Sequence, residues 1–343
     1  MPRYALTIAY DGTDFCGWQR QEPVVVPGQP LPTHVPAQHI LGPPREKDTF
    51  IHPPLEYGVV ELRTVQAIVQ RAVREVVREP VDLIGSSRTD SGVHARGQVA
   101  SFSTSSDNEH GRQGRGWPTD RGLDRLVRAI NDRLPPDVVV VEARLVPERF
   151  DAIFDTESKG YAYLVHAGRA RPLFDRRFAF HVRDGLDVPA MQAASGLLVG
   201  EHDFAAFSAA THKRVTTVRH VLRCDVIDCG HSQSPGPFWS DRDLGVGRLD
   251  NAQRVRIEIS SKGFLYNMVR IIAGTLIDVG LGRMPVSRVS KALQTGNRRD
   301  AGPTSPPEGL CLDWIKYRNE SLIFEPAVEP TVEPASDSSI SSS

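Results

Sequence analysis

Cysteine is scarce in this sequence, four in 343 residues. That is too few for a disulfide framework, and a reducing compartment would keep them as thiols. Also missing is any apolar run near the ~20 residues of a membrane helix, and residues 1–12 lack the basic start and apolar stretch of a signal peptide. A cytoplasmic protein with no membrane partner is expected. Neither sign of charge dominates, because 41 basic residues face 42 acidic ones for a net charge of −1. RNA binding through bulk charge is therefore not supported, and any RNA contact must come from a local patch.

What is present is ordinary for a globular chain: 40% hydrophobic and 24% charged residues, enough for about two domains at roughly 150 residues each. Three stretches depart from that. Residues 23–54 hold nine of the 26 prolines with no periodicity, which reads as an insertion or long surface loop. Residues 103–122 carry Arg112, Arg115 and Arg121 among glycines and polar residues, as a solvated loop or a basic arm. Residues 321–343 have four acids and no base among Pro and Ser, which predicts a disordered tail.

Between these stretches the periodicity alternates. Strands are expected at 4–10, 81–84, 98–102, 138–145, 161–165, 218–227 and 255–259. Helices are expected at 65–77, capped by Thr64 and stopped by Pro80, and at 123–134, 189–198 and 264–279. This mixture predicts an α+β fold. Its units are an N-terminal part, 1–145, a C-terminal part, 146–320, and the tail.

The polar segment from Gly85 to Ala95 joins two short strands and sets one carboxylate, Asp90, among Arg88, Thr89, Ser91 and His94. Asp90 is a candidate nucleophile or base, or else it caps its own backbone in an Asx-turn before Gly92. The helix at 264–279 is apolar nearly all round and should be buried, yet it carries Arg270, with Asn267 a turn before and Gly274 a turn after. A guanidinium is costly to bury without an anion, and a bidentate carboxylate is its natural partner. The alternative is that Arg270 snorkels to the surface. Asp90 and Arg270 are complementary, so a pair between them is expected.

Several ordered motifs together are far more specific than either residue. They are Ile8-Ala9-Tyr10-Asp11-Gly12-Thr13, Gly17-Trp18-Gln19-Arg20-Gln21, Thr64-Val65-Gln66 and Arg88-Thr89-Asp90-Ser91-Gly92-Val93-His94-Ala95. Further along come Phe150-Asp151-Ala152, Tyr161-Ala162-Tyr163, Gly200-Glu201-His202-Asp203-Phe204, Phe264-Leu265-Tyr266-Asn267-Met268-Val269-Arg270, and the run from Ala301 to Leu310. With these the chain resembles the tRNA pseudouridine synthase I (A) family over most of its length. The resemblance implies a pseudouridine synthase fold of two halves, each a mixed or antiparallel sheet flanked by helices, with the active site in the cleft between them. It implies isomerisation of uridine to pseudouridine in the tRNA anticodon stem-loop, at positions 38, 39 or 40, by a homodimer that needs no cofactor. It assigns Asp90 as the catalytic aspartate, Arg270 as its ion-pairing arginine, and Tyr161 as the ring that stacks on the base and handles the proton at C5. Arg88 matches an arginine that holds the extruded nucleotide.

Two positions depart from the family pattern, Ile153 and Gly160, both usually basic. Lys213, Arg214, Arg219, Lys262 and Arg283 remain candidate phosphate contacts. Other constellations are weaker. Cys224 and Cys229 with His220 and His231 could be drawn as a zinc site, but their offset along a strand sets the thiols on opposite faces, and no metal is expected. The glycines at 111, 114 and 116 lie at no strand-to-helix junction, and His34, His39, His52 and His110 read as loop residues. Two rival functions are a non-catalytic RNA-binding protein and a glycoside hydrolase using Asp90. The second lacks a partner carboxylate.

Overall fold

A computed structural model describes residues 1–24, 40–44, 49–56, 58–105, 115–209, 216–231 and 252–322. The tail from 323, the larger part of the expected insertion and residues 106–114 of the expected basic arm lie outside the described residues. Among the described residues no helix is long and apolar enough to cross a membrane.

The first strand, β1 (Arg3–Tyr10), alternates: Tyr4, Leu6, Ile8 and Tyr10 face one large core, while Ala5 faces a small second cluster on the other side of the sheet. It lies between β3 (His94–Ser103) and β4 (Val138–Val146), antiparallel to both. Helix α1 (Val65–Val77) begins where Thr64 predicts, its hydroxyl accepting from Ala67 N at 3.3 Å. The helix ends at Arg78 in the left-handed region, before Pro80. The strand expected at 81–84 is reduced to β2 (Ile84–Gly85), because Gln70 Oε1 accepts from Leu83 N and Arg74 Nε donates to Val81 O. Side chains of α1 take the backbone groups that a ladder would have used. Helix α2 (Leu123–Asn131) packs against α1 and β4.

The second half contributes β5 (Thr156–Ala167), β6 (Phe180–Val182), α3 (Val188–Gly196), β7 (Gly200–Asp203), β8 (Val218–His231) and β9 (Gln253–Ser261). Helices α4 (Met268–Gly280) and α5 (Ser287–Thr295) follow, then β10 (Leu310–Tyr317) and the single turn α6 (Asn319–Leu322). The chain is α+β, but its halves do not carry separate sheets. One sheet runs β4-β1-β3-β10-β5-β9-β8-β7, with β2 on β3 and β6 on β5. The join is β10, parallel to β3 at Cys311 and Leu312 and antiparallel to β5 along its length. This last strand of the fold therefore brings β3, at the end of the Asp90 loop, within one strand of β5.

The described ends of the Pro-rich stretch pack back on the body. Val24 and Ile40 bridge Val59 and Leu62, Ile51 is fully buried, and His52 stands 3.8 Å from Glu75 on α1. His34, His39 and His110 lie outside the described residues. In the Arg-containing stretch, Arg115 lies over Phe50 at 4.1 Å and Arg121 over Trp117 at 4.8 Å, while Arg112 lies outside the described residues.

Candidate active site

The loop from Ser86 to Val93 is fixed from several directions. Trp18 N donates to Thr89 O at 3.0 Å, Tyr10 and Thr89 share a buried hydroxyl contact of 2.8 Å, and Ser91 Oγ donates to Phe15 O at 2.9 Å. Gly17 sits at φ +90° against this loop, where a Cβ would stand 2.7 Å from Thr89 O. The motif glycine thus lets two loops touch backbone to backbone. Val93 N closes a turn onto Asp90 O at 3.1 Å, so the turn at Asp90 is made by backbone. Its carboxylate points elsewhere.

Opposite stands Arg270, its Nη1 3.5 Å from Asp90 Oδ2. The contact is through one nitrogen, rather than the expected bidentate fork, because the guanidinium is shared. Nε donates to Ser305 O at 2.8 Å and Nη1 to Asn267 Oδ1 at 3.1 Å. Asn267 adopts φ 59° at the start of α4 and gives its side chain to Arg270 instead of capping the helix. Helix α4 begins at Met268, later than its apolar pattern predicts, so Arg270 lies in the first turn and not mid-helix. Arg270 and Asp278 are the two residues of the helix that are not buried. Gly274 explains how Ser305 comes near. A Cβ there would stand 2.0 Å from Pro303 O, so helix and loop meet without a side chain between them.

Asp90 is partly buried, with its side chain 29% exposed. Burial pushes its carboxyl above the usual range, and the Arg270 charge opposes that rise without cancelling it. Tyr161, on β5, is 8% exposed. Its phenol is pushed up to about 12, first by burial and also by the Asp90 charge, while a hydrogen bond to Ser87 pulls it down. Its hydroxyl lies 3.0 Å from Ser87 Oγ and its ring meets Phe264 edge-on at 5.2 Å. Three further groups complete this corner, Ser87, Gln98 and Lys159, of which the sequence marks only Lys159, as the basic residue kept before Gly160. Gln98 clamps Ser87 by donating to its carbonyl at 2.6 Å and accepting from its N–H at 3.2 Å, and Lys159 Nζ donates to Ser87 Oγ at 3.3 Å. Gln98 and Lys159 sit on strands, where the polar member of an alternating run looks like a solvent position. For Gln98 only the sheet order shows otherwise, while Lys159 shares a face of β5 with Tyr161 two residues on.

Of the other predicted contacts, Arg88 is exposed, two residues from Asp90. Arg219 stands on β8, two strands from Tyr161, and its Nη1 donates to Thr216 O and Val218 O. Arg283 faces Asp278 at 3.8 Å, and Lys262 is exposed. Lys213 and Arg214 lie outside the described residues. Cys224 is buried and Cys229 exposed, on opposite faces of β8.

The two departures from the family pattern have different standing in the fold. Gly160 lies under the Trp314 indole: β10 bulges after Leu312, Trp314 pairs with Gly160, and a Cβ there would stand 2.3 Å from the ring. A basic side chain at that position would have to displace the indole, which is 43% exposed. Ile153 is 49% exposed in a turn where Asp151 Oδ1 accepts from Ile153 N at 2.7 Å and Phe154 N at 2.9 Å. Nothing in the structure explains why isoleucine stands there.

An ion-paired carboxylate beside a buried tyrosine, at the seam of a mixed sheet, is equipment for nucleophilic and acid–base chemistry. Comparison with known proteins says which. The family model described as tRNA pseudouridine synthase matches residues 194–318. The chain is 32% identical to tRNA pseudouridine synthase A 2 of Clostridium perfringens over 92% of its own length and all of that protein. It is 33% identical to tRNA pseudouridine synthase A of Acetivibrio thermocellus with the same coverage, and 34% identical to that of Shouchella clausii over 95% of this chain and 97% of the relative. The chain belongs to the tRNA pseudouridine synthase A family, a family of isomerases.

Proposed function

We propose that this protein converts uridine to pseudouridine in the anticodon stem-loop of tRNA, with Asp90 acting at the sugar, Arg270 holding its carboxylate and Tyr161 taking the proton at C5. The observation that carries this reading is the 3.5 Å pair between Asp90 and Arg270, with Tyr161 close enough for the Asp90 charge to perturb it. The N1–C1′ bond breaks, the uracil turns while it is held, and C5 joins C1′. Electrons are conserved, so a carboxylate, a cation and a proton acceptor suffice. Burial favours this use of Asp90, since a carboxylate with a raised pKa is the stronger base and nucleophile.

A stem uridine must first be flipped out, which costs a few kcal/mol, and stacking on an aromatic ring returns about 1–3 kcal/mol. Arg88, which is exposed, on this reading meets the phosphates around the vacated position. On this reading residues 1–145 and 146–320 act as two halves about the cleft, in a cytoplasmic homodimer, and Lys213, Arg214 and Arg219 contact tRNA. Tritium release from tRNA labelled at uracil C5 tests it. Release by the protein that vanishes in Asp90→Ala is expected, and no release from any tRNA would leave an RNA-binding protein without catalysis.

A further inference from the structure

Tyr161 poses a chemical difficulty for the reaction just proposed. A proton acceptor must spend part of the cycle as phenolate, yet this phenol is buried and near a carboxylate, both of which oppose ionisation. The neighbourhood supplies one opposing device. Ser87 Oγ is 3.0 Å from the Tyr161 hydroxyl, and Lys159 Nζ donates to the same Ser87 oxygen at 3.3 Å and to Ser86 O at 3.5 Å. Ser87 is itself 7% exposed, and both its backbone groups are bound by the fully buried amide of Gln98.

The donor count makes this arrangement more than packing. A serine hydroxyl has one proton and two lone pairs. Lys159 occupies one lone pair, leaving one lone pair and the proton for Tyr161. With Tyr161 as phenol, its O–H donates to the free lone pair. With Tyr161 as phenolate, the Ser87 hydroxyl rotates and donates its proton, polarised by Lys159, to the phenolate oxygen. A hydrogen bond to a charged group is the stronger kind.

We propose that Ser87, clamped by Gln98 and reached by Lys159, is a positioning residue that satisfies Tyr161 in both protonation states and thereby lets it act as the C5 proton acceptor. The step balances. The phenol releases its proton to solvent; once C5 has joined C1′ the phenolate takes the proton from C5, the C–H electron pair closes the C5–C6 double bond, and the C6–N1 π pair moves onto N1, which takes up a proton from solvent in place of its lost bond to C1′. The inference rests on the reading of Tyr161 given above.

The test uses tRNA carrying hydrogen or deuterium at C5 of the target uridine, and compares wild type, Ser87→Ala and Lys159→Met. A hydrogen bond to a charged group is worth about 1.5–3 kcal/mol, so kcat is expected to fall about tenfold to a hundredfold in Ser87→Ala. KM should hold while the deuterium isotope effect rises, because C5 proton removal becomes limiting. Lys159→Met should fall in the same direction by less. Fluorotyrosine at position 161, a more acidic phenol, should restore Ser87→Ala but not Asp90→Ala. Wild-type kcat and isotope effect in a folded Ser87→Ala protein, or a loss that fluorotyrosine leaves unrepaired, would overturn the proposal while wild-type release still upholds the reaction. Absence of release by the wild type would instead overturn the reaction.

Discussion

Replacing Arg270 with methionine keeps the apolar stem and removes the charge. At 3.5 Å from Asp90 the lost attraction is about 1 kcal/mol if screened as in water and about 5 kcal/mol at an effective dielectric of 20. At roughly 1.4 kcal/mol per unit, that spans about 1 to 3 pH units. The direction is set by what remains. Burial already holds the Asp90 carboxyl above its usual value, and without Arg270 nothing in the pair opposes that. A group whose pKa rises is protonated, and inactive as base or nucleophile, up to a higher pH. The acid limb of kcat/KM for tritium release should therefore move up by about one to three units in Arg270→Met, with some activity recovered at alkaline pH. Arg270→Lys keeps the charge but not the shared contacts with Ser305 and Asn267, and should move the limb less. A uniform loss of activity with the acid limb unmoved would refute this electrostatic role and leave Arg270 as a scaffold between α4 and the Ser305 loop.

The same geometry fixes three further outcomes. Asp90→Asn should abolish activity yet raise the melting temperature near neutral pH: a carboxyl raised by burial costs stability once pH passes its unfolded value, so the gain should fade as pH drops below about 4 in calorimetric scans. Gly274→Ala places a Cβ 2.0 Å from Pro303 O, which must push the loop away and withdraw Ser305 O from Arg270. About 1–3 kcal/mol of destabilisation in urea titration, with kcat falling in the protein that stays folded, is expected. Gly160→Lys, which restores the family's usual charge, should also destabilise by about 1–3 kcal/mol through the Trp314 ring. Pairing it with Trp314→Gly should recover the loss, and failure of that rescue in the same titration would show that the indole is not the obstacle.

Local order is legible wherever a single face decides it. The stripe from Val65 to Val77 with Thr64 before it returns as a helix at those bounds, because capping and amphipathicity act within one segment. Where partners lie far apart in sequence, local signals fail. Residues 81–83 look like a strand but give their backbone groups to Gln70 and Arg74. The strand from Leu310 to Tyr317, which joins the sheet, begins at the last residue of a motif read only for its resemblance, and no strand is expected there. Its bulge puts the Trp314 indole over Gly160.

The site divides along the same line. Asp90 and Arg270 can be paired from their sequence contexts because each is anomalous where it stands, a lone carboxylate in a polar loop and a lone cation on an apolar helix. Ser87 and Gln98 are ordinary where they stand, and only the fold brings them to Tyr161, whereas Lys159 shares its face of β5 two residues before it. The cost is also divided. Desolvation works against the charged forms of both Asp90 and Tyr161; Arg270, from α4, opposes it at Asp90, and the Ser87 hydroxyl, which Lys159 also reaches, opposes it at Tyr161. A site built this way forms only when β10 joins the halves, since the Asp90 loop leads into β3 on one side of that strand and Tyr161 stands on β5 at the other. Shortening β10 should thus abolish tritium release before it unfolds either flank of the sheet, and a shortened protein that still turned over would show that the loop and α4 find each other without it.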